Sequence, residues 1–268
     1  MNNATLNHTT LTQKLQTLAS YPQLNPATIA KFGEILQQLD DWELLRLNPL
    51  MFAARYDFSP QEIVDIFVHG AKIGLLDFSF QTICQCGATE YNFTVLHELP
   101  QKDFYCTLCE DLVVADLDDR VEVLFNLNSS VKKLSIDPYK DIATYLKYFL
   151  SPNLEYSPQF LEFLDNIRHG EFLVAPDTTH AITFNAAPNS HYRLVSLGFH
   201  SLMKLEISDQ VSPTPQNITL DFLPSGLPQQ PVYAQAGEIT LHITNQTSIK
   251  VGLGLYLSDT LKQKELNT

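Results

Sequence analysis

The sequence predicts an α+β protein with a helical N-terminal segment, a cysteine-bearing β module, a helical connector and a C-terminal antiparallel β-sandwich. Three observations support this order. Proline-led helix starts recur in the first 80 residues, all four cysteines fall between residues 84 and 109, and an alternating apolar pattern follows residue 170. We therefore divide the chain into residues 1–80, 81–130, 131–170 and 171–268.

Proline-led helix starts define the first segment. Asn25-Pro26, Asn48-Pro49 and Ser59-Pro60 each place a capping side chain before a proline, and proline suits the first position of a helix. Glu62 lies three residues after Ser59, where a glutamate returns a hydrogen bond to its cap. Gly74 is placed to end that helix. We expect a helix to begin at each of these three positions.

The last two of these helices precede a strand-like run at residues 75–80, which predicts a helix-turn-helix with a β-wing, as in winged-helix domains. DNA binding would need cations on the second helix. That helix carries Glu62 and Asp65 near its start and Lys72 only near its end, and carboxylates there repel phosphates. The formal net charge of −13 opposes DNA binding further. We predict a structural or protein-contact role and no binding to DNA.

The cysteines form two close pairs, Cys84-Gln85-Cys86 and Cys106-Thr107-Leu108-Cys109. Tetrahedral zinc is typically held by two such pairs, brought together where the chain reverses. Gly87, just after the first pair, allows the backbone to take positive φ. The first pair is one residue shorter than the usual C-x-x-C, so its spacing is tighter. We predict a structural zinc in a zinc-ribbon-like β module, with four ligands: Cys84, Cys86, Cys106 and Cys109.

Two other interpretations of the cysteines are disulfides and unrelated buried thiols. Disulfides need an oxidising compartment, and the N-terminus has neither the basic segment nor the apolar stretch of an export signal. The sequence contains no run of about 18 apolar residues, which a membrane-spanning helix would need. We therefore predict a cytoplasmic protein. A catalytic zinc is disfavoured because four cysteine ligands leave no open position for water.

Two further groups of polar residues match no ligand motif. The acidic residues after the second cysteine pair lack the glycine-turned spacing of a calcium loop, so we interpret them as a solvated turn; they are Glu110, Asp111, Asp116, Asp118 and Asp119. The histidines of the C-terminal half have no clustered carboxylates and are expected to make ordinary strand and turn contacts; they are His169, His180, His191 and His200.

The second half of the chain changes from helical to strand-like patterns. In the connector, Ser157-Pro158 starts a helix that Gly170 is placed to end. Beyond it, short alternating segments are separated by Pro, Gly, Asn and Ser, which favours a sandwich or open barrel. Six strands are expected: 180–184, 192–197, 202–207, 218–222, 238–244 and 249–256.

Several of these segments resemble a known domain. Residues 47–56, 66–77 and 121–125, with the two cysteine pairs, are similar to the uncharacterised N-terminal domain that precedes the catalytic domain in some bacterial class III adenylate/guanylate cyclases. The likeness covers most of residues 45–257. It implies a regulatory or interaction module connected with cyclic-nucleotide signalling. It does not imply cyclase activity, because the paired metal-binding aspartates and purine-recognition residues of a cyclase have no counterpart in this sequence.

The sequence therefore favours a non-catalytic module with a structural zinc, whose C-terminal β-domain binds a protein partner or a small ligand. No nucleophile elbow, phosphate-binding glycine loop or dinucleotide fingerprint occurs. One alternative is an enzyme with a pocket in the C-terminal β-domain, for which His180, Tyr192 and Arg193 are the first candidates. Another is a zinc-ribbon nucleic-acid adaptor, which the acidic charge disfavours.

Overall fold

The computed structural model describes residues 5–94, 104–113, 120–154 and 156–258. Helices dominate the N-terminal part and strands the C-terminal part, which confirms the predicted mixed α+β organisation at this level. The chain forms two compact units. Unit 1 comprises Met1–Thr82, Tyr91–Leu99 and Leu117–Asp137, and unit 2 comprises Ile83–Glu90, Pro100–Asp116 and Pro138–Thr268.

The described residues contain six α-helices and twelve strands. The helices are α1 His8–Ala19, α2 Pro26–Gln38, α3 Pro49–Tyr56, α4 Pro60–Lys72, α5 Ile142–Phe149 and α6 Pro158–Ile167. The strands are β1 Leu76–Ile83, β2 Thr89–Phe93, β3 Phe104–Cys106, β4 Asp111–Val113, β5 Val121–Leu127, β6 Arg168–Val174, β7 Thr179–Ala186, β8 His191–Ser196, β9 Ser201–Val211, β10 Gln216–Phe222, β11 Val232–Asn245 and β12 Val251–Leu257. None of the described helices is long and apolar enough to cross a membrane.

Unit 1 packs its helices around an aromatic core. The ring centroids of Phe32, Phe52 and Phe67 lie 5.5 Å apart in each of the three pairings, within the range of favourable aromatic contacts. All three side chains are buried. A three-stranded sheet in the order β2-β1-β5 follows α4 along the chain. Helix pair α3–α4 has a three-residue break, residues 57–59, and α4 leads into β1 where the wing was predicted.

The helix starts confirm most of the capping predictions. Helices α2, α3 and α4 each begin at the expected proline, and the side chains of Asn25 and Asn48 accept hydrogen bonds from the first-turn amides. The capping box predicted at Ser59 is wrong, because the Ser59 side chain makes no cap hydrogen bond. Glu62 instead accepts a 3.4 Å hydrogen bond from the Thr28 hydroxyl, so tertiary contact with α2 has replaced the local bond.

The two serine-proline helix starts provide a matched test of capping. Ser157 Oγ accepts a 3.1 Å hydrogen bond from the Phe160 amide at the start of α6, whereas Ser59 makes no such bond. We expect Ser157→Ala to lower the free energy of unfolding by about 1 kcal/mol. Ser59→Ala should lower it by less than about 0.5 kcal/mol. Urea denaturation measures both, and equal losses at the two positions would contradict the assignment of the caps.

Helix α6 ends earlier than predicted. Gly170 was expected to close the helix, but α6 ends at Ile167 and Gly170 lies within β6, opposite Leu255 of β12. Arg168 already has extended backbone angles, with φ −78° and ψ 122°. Pairing with β12 therefore places residues 168–174 in a strand, β6, which the sequence pattern did not predict.

The strands of unit 2 follow the path β10-β11-β9-β8-β12-β6, and β7 also pairs with β11. Each of the six predicted strands overlaps one of β7 to β12. The long strand β11 takes part in two ladders. Residues 232–236 pair with β9, whereas residues 237–244 pair with β7 and residues 239–245 pair with β10. Gly237 begins the second ladder, opposite Ala186 of β7. The buried core includes Leu194, Met203, Leu205, Leu241 and Leu253.

The prediction of a wholly antiparallel arrangement is wrong for two pairs, because β11 runs parallel to both β9 and β10. Strands β9 and β10 therefore run in the same direction. The segment between them contains Pro213 and Pro215, and proline lacks the amide that a continuous ladder would need. The longer connection at residues 223–231 then returns the chain so that β11 runs alongside both.

Candidate metal centre

The first cysteine pair lies in a tight turn that follows β1. The Gly87 amide donates to the Cys84 carbonyl at 2.9 Å, and the Cys84 amide donates to the Ala88 carbonyl at 2.9 Å. Gly87 has φ 84°, which confirms the predicted positive φ. A Cβ atom at Gly87 would lie 2.4 Å from Tyr156 Oη and 2.8 Å from Leu154 Cδ2. The turn therefore needs glycine for both its backbone angle and its close approach to neighbours.

The second cysteine pair lies in the turn of the β3–β4 hairpin. Cys106 is opposite Asp111 in the antiparallel register. The Glu110 amide donates to the Cys106 carbonyl at 2.9 Å, and this bond closes the turn around Cys109. Glu110 has φ 54°, a left-handed conformation that costs a side-chain-bearing residue about 1–2 kcal/mol. The surrounding contacts of Glu110 must offset this cost.

The two turns bring the four thiols together. All four Sγ atoms lie within 4.8 Å of one another, with Cys84 to Cys109 at 3.5 Å and Cys86 to Cys106 at 3.6 Å. Zinc–sulfur bonds of about 2.3 Å in a tetrahedron place sulfurs about 3.8 Å apart. A disulfide would require about 2.05 Å, and the four cysteines are free. The sulfur positions therefore fit a tetrahedral thiolate site.

The electrostatics of the cluster also favour a cation. Cys84, Cys86 and Cys106 are buried, and Cys109 is half-buried. Hydrogen bonds from the neighbouring thiols lower the pKa of Cys84. Hydrogen bonding with the other three thiols, together with burial, raises the pKa of Cys86, and hydrogen bonding with Cys109 and Cys84, together with burial, raises the pKa of Cys106. Cys86 and Cys106 therefore resist ionisation by themselves. A divalent metal binds thiolates and displaces their protons, which overcomes this resistance.

Groups outside the cysteines hold each turn in place. Tyr156 Oη donates a 2.8 Å hydrogen bond to the Cys86 carbonyl, and its ring stacks on Phe160 at 5.4 Å. Burial raises the pKa of Tyr156 above its ordinary value, so the hydroxyl stays protonated as a donor. The guanidinium of Arg193 donates to the Leu108 carbonyl in the second turn. Strand β8 and the segment before α6 thus fix the geometry of the site.

The acidic residues after the second cysteine pair were predicted to form a solvated turn, and this prediction is wrong for Glu110. Its side chain is only 8% exposed and forms ion pairs with Lys204 at 2.5 Å and with Arg193 at 3.9 Å. The Glu110 carboxylate raises the pKa of Lys204. Glu110 is therefore a buried anchor of the turn, while Asp111 is exposed as predicted. The other three acidic residues of this run lie outside the described residues: Asp116, Asp118 and Asp119.

The histidines do not assemble a second site. Among the described residues, three or more potential ligand side chains come close enough to hold one metal ion at one place, the four cysteines. His180 stacks on Phe172 with centroids 4.1 Å apart, and His191 contacts the Glu206 carboxylate. His169 packs between aromatic rings, one of which is Tyr192 at 5.1 Å. His169 and His180 therefore make packing contacts with aromatic rings, whereas His191 has a carboxylate partner that the sequence did not predict.

The three side chains suggested for an enzyme lie in different surroundings. Tyr192 is buried in the main core of unit 2, and Arg193, the next residue of β8, points to the opposite face of the strand. His180 lies on β7 against Phe172. Arg193 is 1% exposed and lines a cavity that borders the cysteine turns. The sequence did not reveal this cavity, because its lining residues are scattered along the chain from position 86 to position 256.

Comparison with known proteins gives one family and no further relative. No curated protein and no solved structure matches the chain. A family model matches residues 10–266, which covers both units and all four cysteines. The chain therefore belongs to the family described as Family of unknown function (DUF5939).

Proposed function

We propose that the protein is a non-catalytic regulatory or interaction module built around a structural zinc ion. The observation that carries the proposal is the closed cluster of four thiols, whose Sγ atoms all lie within 4.8 Å of one another and three of whose cysteines are buried. Four sulfur ligands complete a tetrahedron and leave no position for a reacting water. The site would therefore stabilise the fold of unit 2 rather than perform chemistry.

Zinc suits this donor set better than other common metals. Tetrahedral sites with four soft thiolates are typical of zinc or of iron–sulfur centres, whereas calcium and magnesium require oxygen ligands. In a zinc-ribbon-like arrangement, Cys84 and Cys86 would bind from one turn and Cys106 and Cys109 from the other. A cytoplasmic location is part of the proposal, because a reducing compartment keeps the thiols available for metal.

The recognition function is assigned to the C-terminal strands of unit 2. We interpret the two ladders that share β11 as the two layers of a β-sandwich, whose loops and edges are suited to a protein partner or a small ligand. The resemblance of residues 47–56, 66–77 and 121–125 to cyclase N-terminal domains supports a link with cyclic-nucleotide signalling. This link fails if the zinc-loaded chain, added to a class III cyclase catalytic domain, leaves the rate of cyclic-nucleotide formation unchanged.

The metal content of the purified chain tests the central proposal. We expect close to one zinc per chain in protein purified under reducing conditions, measured by elemental analysis. Chelation should lower the melting temperature, because metal-binding energy contributes to folding in such modules. Iron in place of zinc would refute the choice of metal. Substoichiometric metal in folded, reduced protein would refute the structural site itself.

A further inference from the structure

Unit 2 contains a cavity of about 210 Å³ that borders both cysteine turns. Much of its wall is apolar: α5 and the residue after it supply Leu146 and Leu150, and α6 supplies Phe160 and Leu164. A cavity of about 150 Å³ with a lining of this kind stays dry and binds benzene. By the same measure, this larger cavity has room for an apolar molecule of roughly eight to ten carbon atoms.

The leucines of the wall are accessible to a ligand. Leu146, Leu150 and Leu164 are half-buried, so each keeps apolar surface that a bound molecule could cover. The wall also includes Leu161, which is 48% exposed, so the cavity reaches the surface of the protein. Covering apolar surface is favourable because it removes that surface from water. The leucines therefore supply a driving force for binding an apolar molecule.

The tyrosine hydroxyls of the wall are already hydrogen-bonded within the protein. Tyr156 Oη donates at 2.8 Å to the Cys86 carbonyl, and Tyr256 Oη donates at 2.6 Å to the Glu171 carboxylate. Burial raises the pKa of both tyrosines, so both hydroxyls stay protonated as donors. A polar ligand that engaged either hydroxyl would have to break a bond that the fold already makes.

The arginines of the wall are also paired with groups of the protein. Arg193 donates to the Leu108 carbonyl and lies 3.9 Å from the Glu110 carboxylate. Arg168 forms ion pairs with two carboxylates, one of them Glu171 at 3.4 Å. An anionic ligand would have to compete with these carboxylates, and a cationic ligand would meet both guanidinium groups. Since taking a charge out of water is costly unless it finds a partner, the wall favours a ligand without charge.

We propose that this cavity binds a neutral, apolar organic molecule of roughly eight to ten carbon atoms. The proposal rests on the proposed role of unit 2 in recognition and names the class of ligand. The molecule would pack against Leu146, Leu150 and Leu164. The ring of Phe160, which stacks on Tyr156 at 5.4 Å, adds an aromatic surface to the same wall.

Ethylbenzene and propylbenzene are suitable probes, because their size matches the cavity and they carry no charge. The purified full chain is titrated with each of them and followed by NMR of its leucine methyl groups. We expect a Kd below about 1 mM for at least one of the two hydrocarbons. Benzoate and benzylamine are close to ethylbenzene in size but are charged at neutral pH. Both should bind at least about tenfold more weakly than the hydrocarbon that binds.

The same spectra locate the ligand without any substitution. An aromatic ring shifts the methyl resonances of the side chains beside it. The methyl groups of Leu146, Leu150 and Leu164 should therefore shift most as the hydrocarbon is added. Those of Leu205 and Leu241, which belong to the main core of unit 2 and do not line the cavity, should stay in place.

A filled cavity provides the complementary test. Leu164→Trp places a larger side chain in the cavity and keeps every charge, so it should weaken binding of the hydrocarbon at least about tenfold. Leu112→Trp is the matched control, because Leu112 is 64% exposed and does not line the cavity; it should bind like the wild type. If Leu164→Trp does not fold, Leu146→Trp makes the same change from α5, and the methyl shifts of the wild type locate the ligand in any case.

The outcomes separate this inference from the proposed function. A folded, zinc-containing chain that binds neither hydrocarbon up to its solubility limit overturns the inference and leaves the structural zinc standing. Binding of benzoate or benzylamine as tight as that of the hydrocarbon also overturns it, since the wall would then not select against charge. Methyl shifts confined to leucines away from the cavity would place the ligand elsewhere and overturn it as well. A folded chain that lacks zinc but binds the hydrocarbon would refute the proposed metal site and support the inference.

Discussion

With zinc bound as proposed, replacing Cys109 by serine is expected to remove the metal and to destabilise unit 2 by at least about 3 kcal/mol, since structural zinc contributes about 10–16 kcal/mol of apparent binding energy in small modules. Serine is a poor zinc ligand at neutral pH, and the remaining three thiols cannot close the tetrahedron. For a unit of this size, 3 kcal/mol corresponds to a fall in melting temperature of roughly 6–12 °C. Calorimetry and elemental analysis on the same preparation measure both effects.

Gln85→Ser is the matched control for this variant. Gln85 lies between Cys84 and Cys86 in the first turn and its side chain is exposed, so the substitution introduces serine beside the site without removing a ligand. It should keep one zinc per chain and the melting temperature of the wild type. If Cys109→Ser also keeps its zinc and melts within about 2 °C of the wild type, the cluster is not a structural metal site.

Substituting alanine for Gly87 is expected to cost about 2–4 kcal/mol of unfolding free energy. Two effects combine at this position. The residue has φ 84°, which alanine tolerates poorly, and the added Cβ would lie 2.4 Å from Tyr156 Oη. Relieving that contact would move Tyr156 and break its hydrogen bond to the Cys86 carbonyl, so zinc affinity should fall as well. Urea denaturation and competition with a zinc-binding dye measure the two effects.

Gly74→Ala separates the contribution of the backbone angle from that of the contact. Gly74 has a similar φ of 71°, but a Cβ there would meet only Lys14 Nζ, at 3.4 Å. We expect this variant to cost about 1 kcal/mol, from the backbone angle alone. A loss at Gly87 no larger than the loss at Gly74 would show that the contact between Gly87 and Tyr156 does not support the site.

The sequence by itself determined those features that depend on neighbouring residues. The starts of α2, α3 and α4 follow from a polar cap before a proline, and this signal is complete within a few residues. The thiol cluster was predictable for the same reason, because each cysteine pair with its turn is a local unit and metal sites need such pairs. Positive φ at Gly87 followed from the same turn.

The tertiary structure alone decided the features that depend on distant partners. In the sequence, Glu110 is one of several carboxylates in an acidic run. In the structure, its side chain is only 8% exposed and forms an ion pair with Lys204 of β9. Glu62 binds Thr28 of α2 rather than its own cap, and Gly170 joins the ladder with β12 rather than ending a helix. The parallel pairs of β11 and the cavity around Arg193 arise in the same way. In each case the energy comes from a contact between residues far apart in the chain, which local propensity cannot encode.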